Sequence, residues 1–112
     1  MSWYLLCDQH DLPINSTKSF SITINDIELE LLVLTQEDSI HAYKNSCPHL
    51  GVPLNWQPDK FLSLEETHIQ CSTHGALFTF EDGYCVAGPC SGQSLNKLTV
   101  EQRDSEIWLQ YE

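Results

Sequence analysis

Apolar positions alternate with polar ones in short runs along most of this chain, and nowhere do they recur at the spacing of an amphipathic helix. From Lys18 to Ile24 the residues Phe20, Ile22 and Ile24 fall on one face, and after Asn25-Asp26 the alternation resumes at Ile27, Leu29, Leu31 and Val33. A period of two puts such residues on one side of a pleated strand. Asn and Asp tolerate the positive φ of a tight turn, so the two runs predict an antiparallel hairpin. Ser2-Trp3-Tyr4-Leu5-Leu6 reads as a first strand and Ser39 to Lys44 as a later one. Leu77 to Phe80 and Tyr84 to Val86 flank Asp82-Gly83, a favoured hairpin turn. Lys97 to Gln102 and Glu106 to Tyr111 supply the last two strands, with Trp3, Tyr4 and Trp108 as candidate core aromatics. The pattern predicts an all-β protein without internal repeats.

Polar residues that interrupt this pattern carry the chemistry. Cys47-Pro48-His49 is followed, after 21 intervening residues, by Cys71-Ser72-Thr73-His74. Two thiolates and two imidazoles on separate segments make a four-ligand metal site, and that ligand set suits tetrahedral zinc as well as iron. A zinc finger usually pairs both cysteines on one knuckle and both histidines on a helix. Here each segment supplies one of each, and each runs into a glycine, Gly51 or Gly75, that lets the backbone bend tightly.

The mixed C-x-H and C-x-x-H pattern resembles the Rieske iron–sulfur proteins, in which one iron takes two cysteines and the other two histidines. Leu50, Gly51 and Pro53 after the first loop, Gly75, Ala76 and Phe78 after the second, and the later Gly88-Pro89 match that family in order. The resemblance implies one [2Fe–2S] cluster held by Cys47, His49, Cys71 and His74, with Leu50, Gly51, Gly75, Ala76, Phe78 and Pro89 around it. It implies a Rieske-type fold over residues 1–112, an antiparallel β base with a small cluster-binding part at about 45–93. The spacer between the ligand loops is longer than in many Rieske ferredoxins. Residues 55–70 read as an exposed turn leading into a hairpin closed near Glu65-Glu66, a tolerated surface insertion in preference to a docking element.

Two further departures bear on the redox chemistry. High-potential relatives link their two loops by a disulfide from positions that here are Val52 and Thr73, and they carry hydroxyls where this chain has Ala76 and Phe78. The resemblance therefore implies a low potential. Cys7, Cys85 and Cys90 are left over, an odd number that describes no disulfide framework and reads as buried thiols.

Sixteen acidic against five basic residues give a formal charge of −11, a field that repels nucleic acid and anionic lipid and favours a basic docking face. The 112 residues suffice for one small core. No apolar run has signal-peptide or membrane length, and the expected location is the cytoplasm. The remaining histidines, His10, His41 and His68, match no second iron site, and no nucleophilic triad or phosphate loop stands out. The function expected from the resemblance is electron carriage without catalysis of its own, from a flavin NAD(P)H reductase to a terminal oxygenase. Alternatives are the small subunit of an assimilatory nitrite reductase, a zinc-bound interaction module and a redox sensor.

Overall fold

The computed structural model describes residues 2–12, 16–36, 39–46, 54, 68–71, 75–88 and 92–111. Nine strands account for most of them: β1 (Ser2–Asp8), β2 (Ser16–Ile24), β3 (Ile27–Thr35), β4 (Ile40–Lys44), β5 (Ile69–Gln70), β6 (Leu77–Phe78), β7 (Cys85–Ala87), β8 (Lys97–Arg103) and β9 (Glu106–Tyr111). A short 3₁₀ turn at Gln9–Asp11 follows β1, capped by the Asp8 carboxylate, which accepts from the His10 N–H. No helix is long and apolar enough to cross a membrane among the described residues.

Two antiparallel sheets result. The larger has six strands in the order β1-β9-β8-β4-β3-β2, and the smaller has three in the order β5-β6-β7. The β2–β3 hairpin forms where the alternation places it, with Ile24 opposite Ile27. Asn25 and Asp26 both take positive φ, the geometry of a two-residue turn whose twist matches its strands. Ile27, beside that turn, is exposed rather than part of the buried face.

From Leu31 onward β3 is buried on both of its faces. Leu29, Leu31 and Val33 join Ile24, Ala42, Ile107 and Leu109 in the core of the large sheet. Leu32 and Leu34 point the other way, into a second core with Tyr43, Leu54, Ile69, Cys71, Ala76, Phe78, Cys85 and Leu95. One strand thus carries both cores, and the small sheet is fixed to the base through apolar packing.

Two expectations need correction. Tyr4 packs against the base core, but Trp3 and Trp108 do not; they are part-exposed and flank the Arg103 guanidinium, 4.2 Å and 5.9 Å from the two ring centres. Trp3 shares its strand phase with the exposed Leu5, and Trp108 with Glu106 and Gln110, so the period-two rule sends both outward and a cation covers them. Nor is Asp82-Gly83 a two-residue hairpin turn. The Thr79 N–H donates to the Tyr84 carbonyl at 3.0 Å and the Gly83 N–H to the Thr79 carbonyl at 3.0 Å, a wider loop closed around Thr79. Gly83 takes φ +64, and a side chain there would meet the Tyr43 ring at 2.7 Å.

Candidate metal centre

β5 and β6 pair through Ile69 with Phe78 and Gln70 with Leu77, which leaves residues 71–76 as their hairpin loop. Two backbone bonds close it: the Cys71 N–H donates to the Ala76 carbonyl at 2.9 Å, and the Gly75 N–H to the Cys71 carbonyl at 2.8 Å. The second bond turns the chain back through Gly75 at φ +70, a left-handed conformation that favours glycine. Cys71, Ala76 and Phe78 are all wholly buried. His74 falls inside this loop by sequence but lies outside the described residues.

The first Cys/His segment begins at the end of β4. There the Lys44 N–H donates to the Asn96 carbonyl and the Asn45 N–H to the Glu30 carbonyl, both at 2.9 Å, tying the strand end to both neighbours. The Ser46 N–H then reaches back to the Lys44 carbonyl at 2.8 Å, a three-residue turn centred on Asn45. Leu54, wholly buried in the small core, donates its N–H to Asn45 Oδ1 at 2.7 Å. Residues 47–53 connect these points in sequence. Cys47, His49, Leu50 and Gly51 belong to that stretch and lie outside the described residues.

A third loop follows β7. The Cys85 N–H donates to the Gln93 carbonyl at 2.8 Å and the Gly92 N–H to the Cys85 carbonyl at 3.4 Å, closing the segment that includes Pro89 and Cys90 in sequence. Those two residues also lie outside the described ones. Cys85 is buried, as the leftover-thiol reading expects, and its Sγ donates to the Ala87 carbonyl at 3.1 Å. Gly88 enters this loop at φ +101 directly against Ala76, so the second and third loops touch.

Of the four proposed ligands the structure thus describes Cys71 alone, and no group of three His, Cys, Asp or Glu side chains converges among the described residues. What it does describe suits a buried cluster: a wholly buried cysteine, a tight glycine-turned loop, and a backbone contact beside it with no room for a side chain. Cys7, by contrast, packs part-buried against the base core, where burial and then Asp11 push its thiol above the ordinary cysteine range. His41 is pushed below its ordinary value by burial and then by Lys97, and its Nε2 meets Ser39 Oγ at 3.2 Å. That places it in a local polar cluster of the base.

Asn45 and Leu54 were not singled out by sequence reasoning. The available signal was an asparagine immediately after a strand, a common turn residue whose side chain bonds nearby backbone.

Comparison with known proteins follows the same lines. The family model described as the Rieske [2Fe–2S] domain matches residues 2–102. The cholesterol 7-desaturase of Caenorhabditis elegans is 25% identical over 87 residues, covering 78% of this chain and 19% of that protein. The chain therefore spans about a fifth of the length of the curated relative it matches. Among solved structures, the ferredoxin of carbazole 1,9a-dioxygenase from Nocardioides aromaticivorans IC177 superposes with a TM-score of 0.75 at 20% identity, covering 100% of both chains. A chain from the complex of reduced oxygenase and oxidised ferredoxin in carbazole 1,9a-dioxygenase gives a TM-score of 0.73 at 20% identity, covering 96% of this chain and 91% of that one. At such identities the likeness to these structures is one of fold.

Proposed function

The chain belongs to the Rieske [2Fe–2S] domain family, and from that premise we propose that it is a one-electron carrier serving a terminal oxygenase, supplied by a flavin NAD(P)H reductase. Cys47 and Cys71 would hold one iron and His49 and His74 the other. Leu50, Gly51, Gly75, Ala76, Phe78 and Pro89 would surround them within a part spanning about 45–93. The bound cluster supplies one-electron oxidation and reduction.

The chain's own residues provide the setting. Cys71 presents its thiol inside an apolar core, with Ala76 and Phe78 excluding water beside it. Hydrogen-bonded closure of the loop at Cys71 and Ala76 fixes the two ends of the segment that includes His74 in sequence. The buried Cys71 in this closed loop is the observation that carries the reading. End-to-end likeness to a carbazole-dioxygenase ferredoxin supports carriage over catalysis, and an oxygenase–ferredoxin complex among the similar structures supports an oxygenase as acceptor. We place the protein in the cytoplasm, with no nucleic acid or membrane partner for a chain of charge −11.

The desaturase favours a second reading, in which such a domain serves as the electron-entry module of a larger enzyme. Reconstitution separates the two. Iron and acid-labile sulfide per chain are measured first, then stopped-flow reduction by a flavin reductase and reoxidation by a separately purified terminal oxygenase. Stoichiometric zinc without sulfide sinks the cluster. A cluster that no separate oxygenase reoxidises sinks the carrier and leaves the second reading.

A further inference from the structure

The two ligand loops are closed by different means. Residues 71–76 are held by main-chain bonds between adjoining strands, a closure that asks little of the side chains. Residues 46–53 follow the end of β4 at Lys44 and precede Leu54, which is not part of a strand. Among the described residues their closure is made by a side chain, Asn45 Oδ1 accepting from the Leu54 N–H at 2.7 Å.

Both ends of that contact are anchored. Asn45 is held to β3 through its N–H on the Glu30 carbonyl, and the turn at Lys44–Ser46 directs its carboxamide. Leu54 is wholly buried among Leu32, Leu34, Tyr43 and Ile69. Truncating Asn45 would leave a buried N–H without this acceptor, a costly state for a backbone amide. The contact also divides the spacer: the loop is closed by residue 54 and β5 begins at Ile69, so residues 55–68 follow the closure in sequence.

We propose that Asn45 is a positioning residue for the cluster, its carboxamide latching the first ligand loop so that Cys47 and His49 meet Cys71 and His74. This rests on the reading of those four residues as ligands. A neutral amide suits the role, because it accepts an N–H without placing a charge next to a centre that becomes more negative on reduction. Aspartate at this position would keep the acceptor and add the charge, and the two contributions separate by substitution.

The test compares wild type, Asn45→Ala and Asn45→Asp. The Leu54 amide should exchange with deuterium at least tenfold faster in Asn45→Ala than in wild type or Asn45→Asp, a readout that needs no cluster. In loaded protein, Asn45→Ala should release iron to a chelator about tenfold faster, a factor equivalent to about 1.4 kcal/mol. The amides of the β2–β3 hairpin and of β9 should exchange as in wild type, showing an intact base. Asn45→Asp should keep the cluster and show a lowered midpoint potential, a shift that a purely structural contact would not produce. Equal iron release in wild type and Asn45→Ala overturns the proposal, as does release from Asn45→Asp as fast as from Asn45→Ala. Wild-type protein that takes up no iron and sulfide refutes the ligand reading instead, while the Leu54 exchange still decides the latch.

Discussion

Gly88 lies so close to Ala76 that a β-carbon built on it would stand 2.7 Å from the Ala76 Cα and 2.9 Å from its Cβ. The loop after β7 therefore rests, backbone to backbone, on the loop that carries Cys71. Gly88→Ala must relieve both this contact and a φ of +101, and it should destabilise the fold by roughly 2–5 kcal/mol from the two effects together. Gly92 isolates the backbone part, since it has φ +94 and nothing within 4 Å of an added β-carbon. Urea unfolding should rank wild type above Gly92→Ala and Gly92→Ala above Gly88→Ala. Equal midpoints for the two variants would deny the contact.

Single replacement of Cys47, His49, Cys71 or His74 should abolish the cluster, seen as loss of acid-labile sulfide and of visible absorption. Cys71→Ser is the sharpest case because its thiol is wholly buried in a loop closed on both sides. Cys7→Ser is the matched control: its side chain packs part-buried against the core of the large sheet, so it should leave iron and sulfide unchanged. Sulfide retained by any of the four ligand variants would remove that residue from the site.

Ala76 and Phe78, both wholly buried, stand where high-potential relatives carry hydroxyls. Hydrogen bonds to the cluster sulfurs favour the more negative reduced form and raise the potential. At about 1.5–3 kcal/mol for a bond to a charged group, and about 59 mV per 1.4 kcal/mol for one electron, two such bonds amount to roughly 130–260 mV. Wild type should thus lie near the bottom of the Rieske range, about −150 mV. Ala76→Ser with Phe78→Tyr should move it upward by that order in protein-film voltammetry. A buried hydroxyl that misses sulfur would instead lower stability at constant potential, and a wild-type value above about +100 mV would refute the assignment.

The parts of this fold legible in the sequence are those set by local physics. Phe20, Ile22 and Ile24 against Leu29, Leu31 and Val33 announce a hairpin, and Asn25-Asp26 its turn, because alternation and positive φ are properties of neighbouring residues. Leu32 and Leu34 were the harder case. Their burial depends on a second sheet that no local pattern announces. Trp3 and Trp108 misled because size suggests a core, whereas strand phase turned them toward Arg103. The Cys/His motifs by which the chain resembles its family were visible by residue type and spacing. Asn45 was not, since its partner Leu54 lies across the loop it closes and only the folded chain brings them together.

Tyr43 gives a test of how the small sheet is joined to the base. Its hydroxyl donates to the Phe80 carbonyl at 2.5 Å, and burial, then Asp82 and Glu81, push its pKa up to about 12. An unfolded tyrosine titrates near 10. Between those values the folded chain keeps a proton that the unfolded chain has released, so this contribution is complete below about pH 10 and is lost as pH rises through about 12, some 2–3 kcal/mol in all. Tyr43→Phe leaves the Phe80 carbonyl without this donor and should cost about 1–3 kcal/mol at pH 8. By pH 12 the gap between wild type and variant in urea unfolding should narrow, shared alkaline effects cancelling in the difference. A gap independent of pH would contradict the buried, proton-retaining hydroxyl.

Partner encounter is the last point at which the geometry makes a demand. Glu28 and Glu30 stand exposed on β3 and line, with Lys44, Asn45 and Ser46, a surface hollow of about 460 Å³ where the first ligand loop departs. With a chain charge of −11, this is where a basic face on the acceptor would be drawn toward the cluster. Attraction of this kind speeds association and is screened over a Debye length of about 10 Å at 0.1 M salt. Glu28→Lys with Glu30→Lys should slow electron transfer to a basic oxygenase about tenfold at low ionic strength, at the lower end of what steering supplies, and should flatten its salt dependence. Glu101→Lys with Glu106→Lys controls for net charge with the same change of +4: both residues are exposed on the β8–β9 ladder, away from the Tyr43–Lys97 pair. Stopped-flow rates that fall equally for both charge changes would assign the effect to net charge alone and remove the hollow as the point of approach.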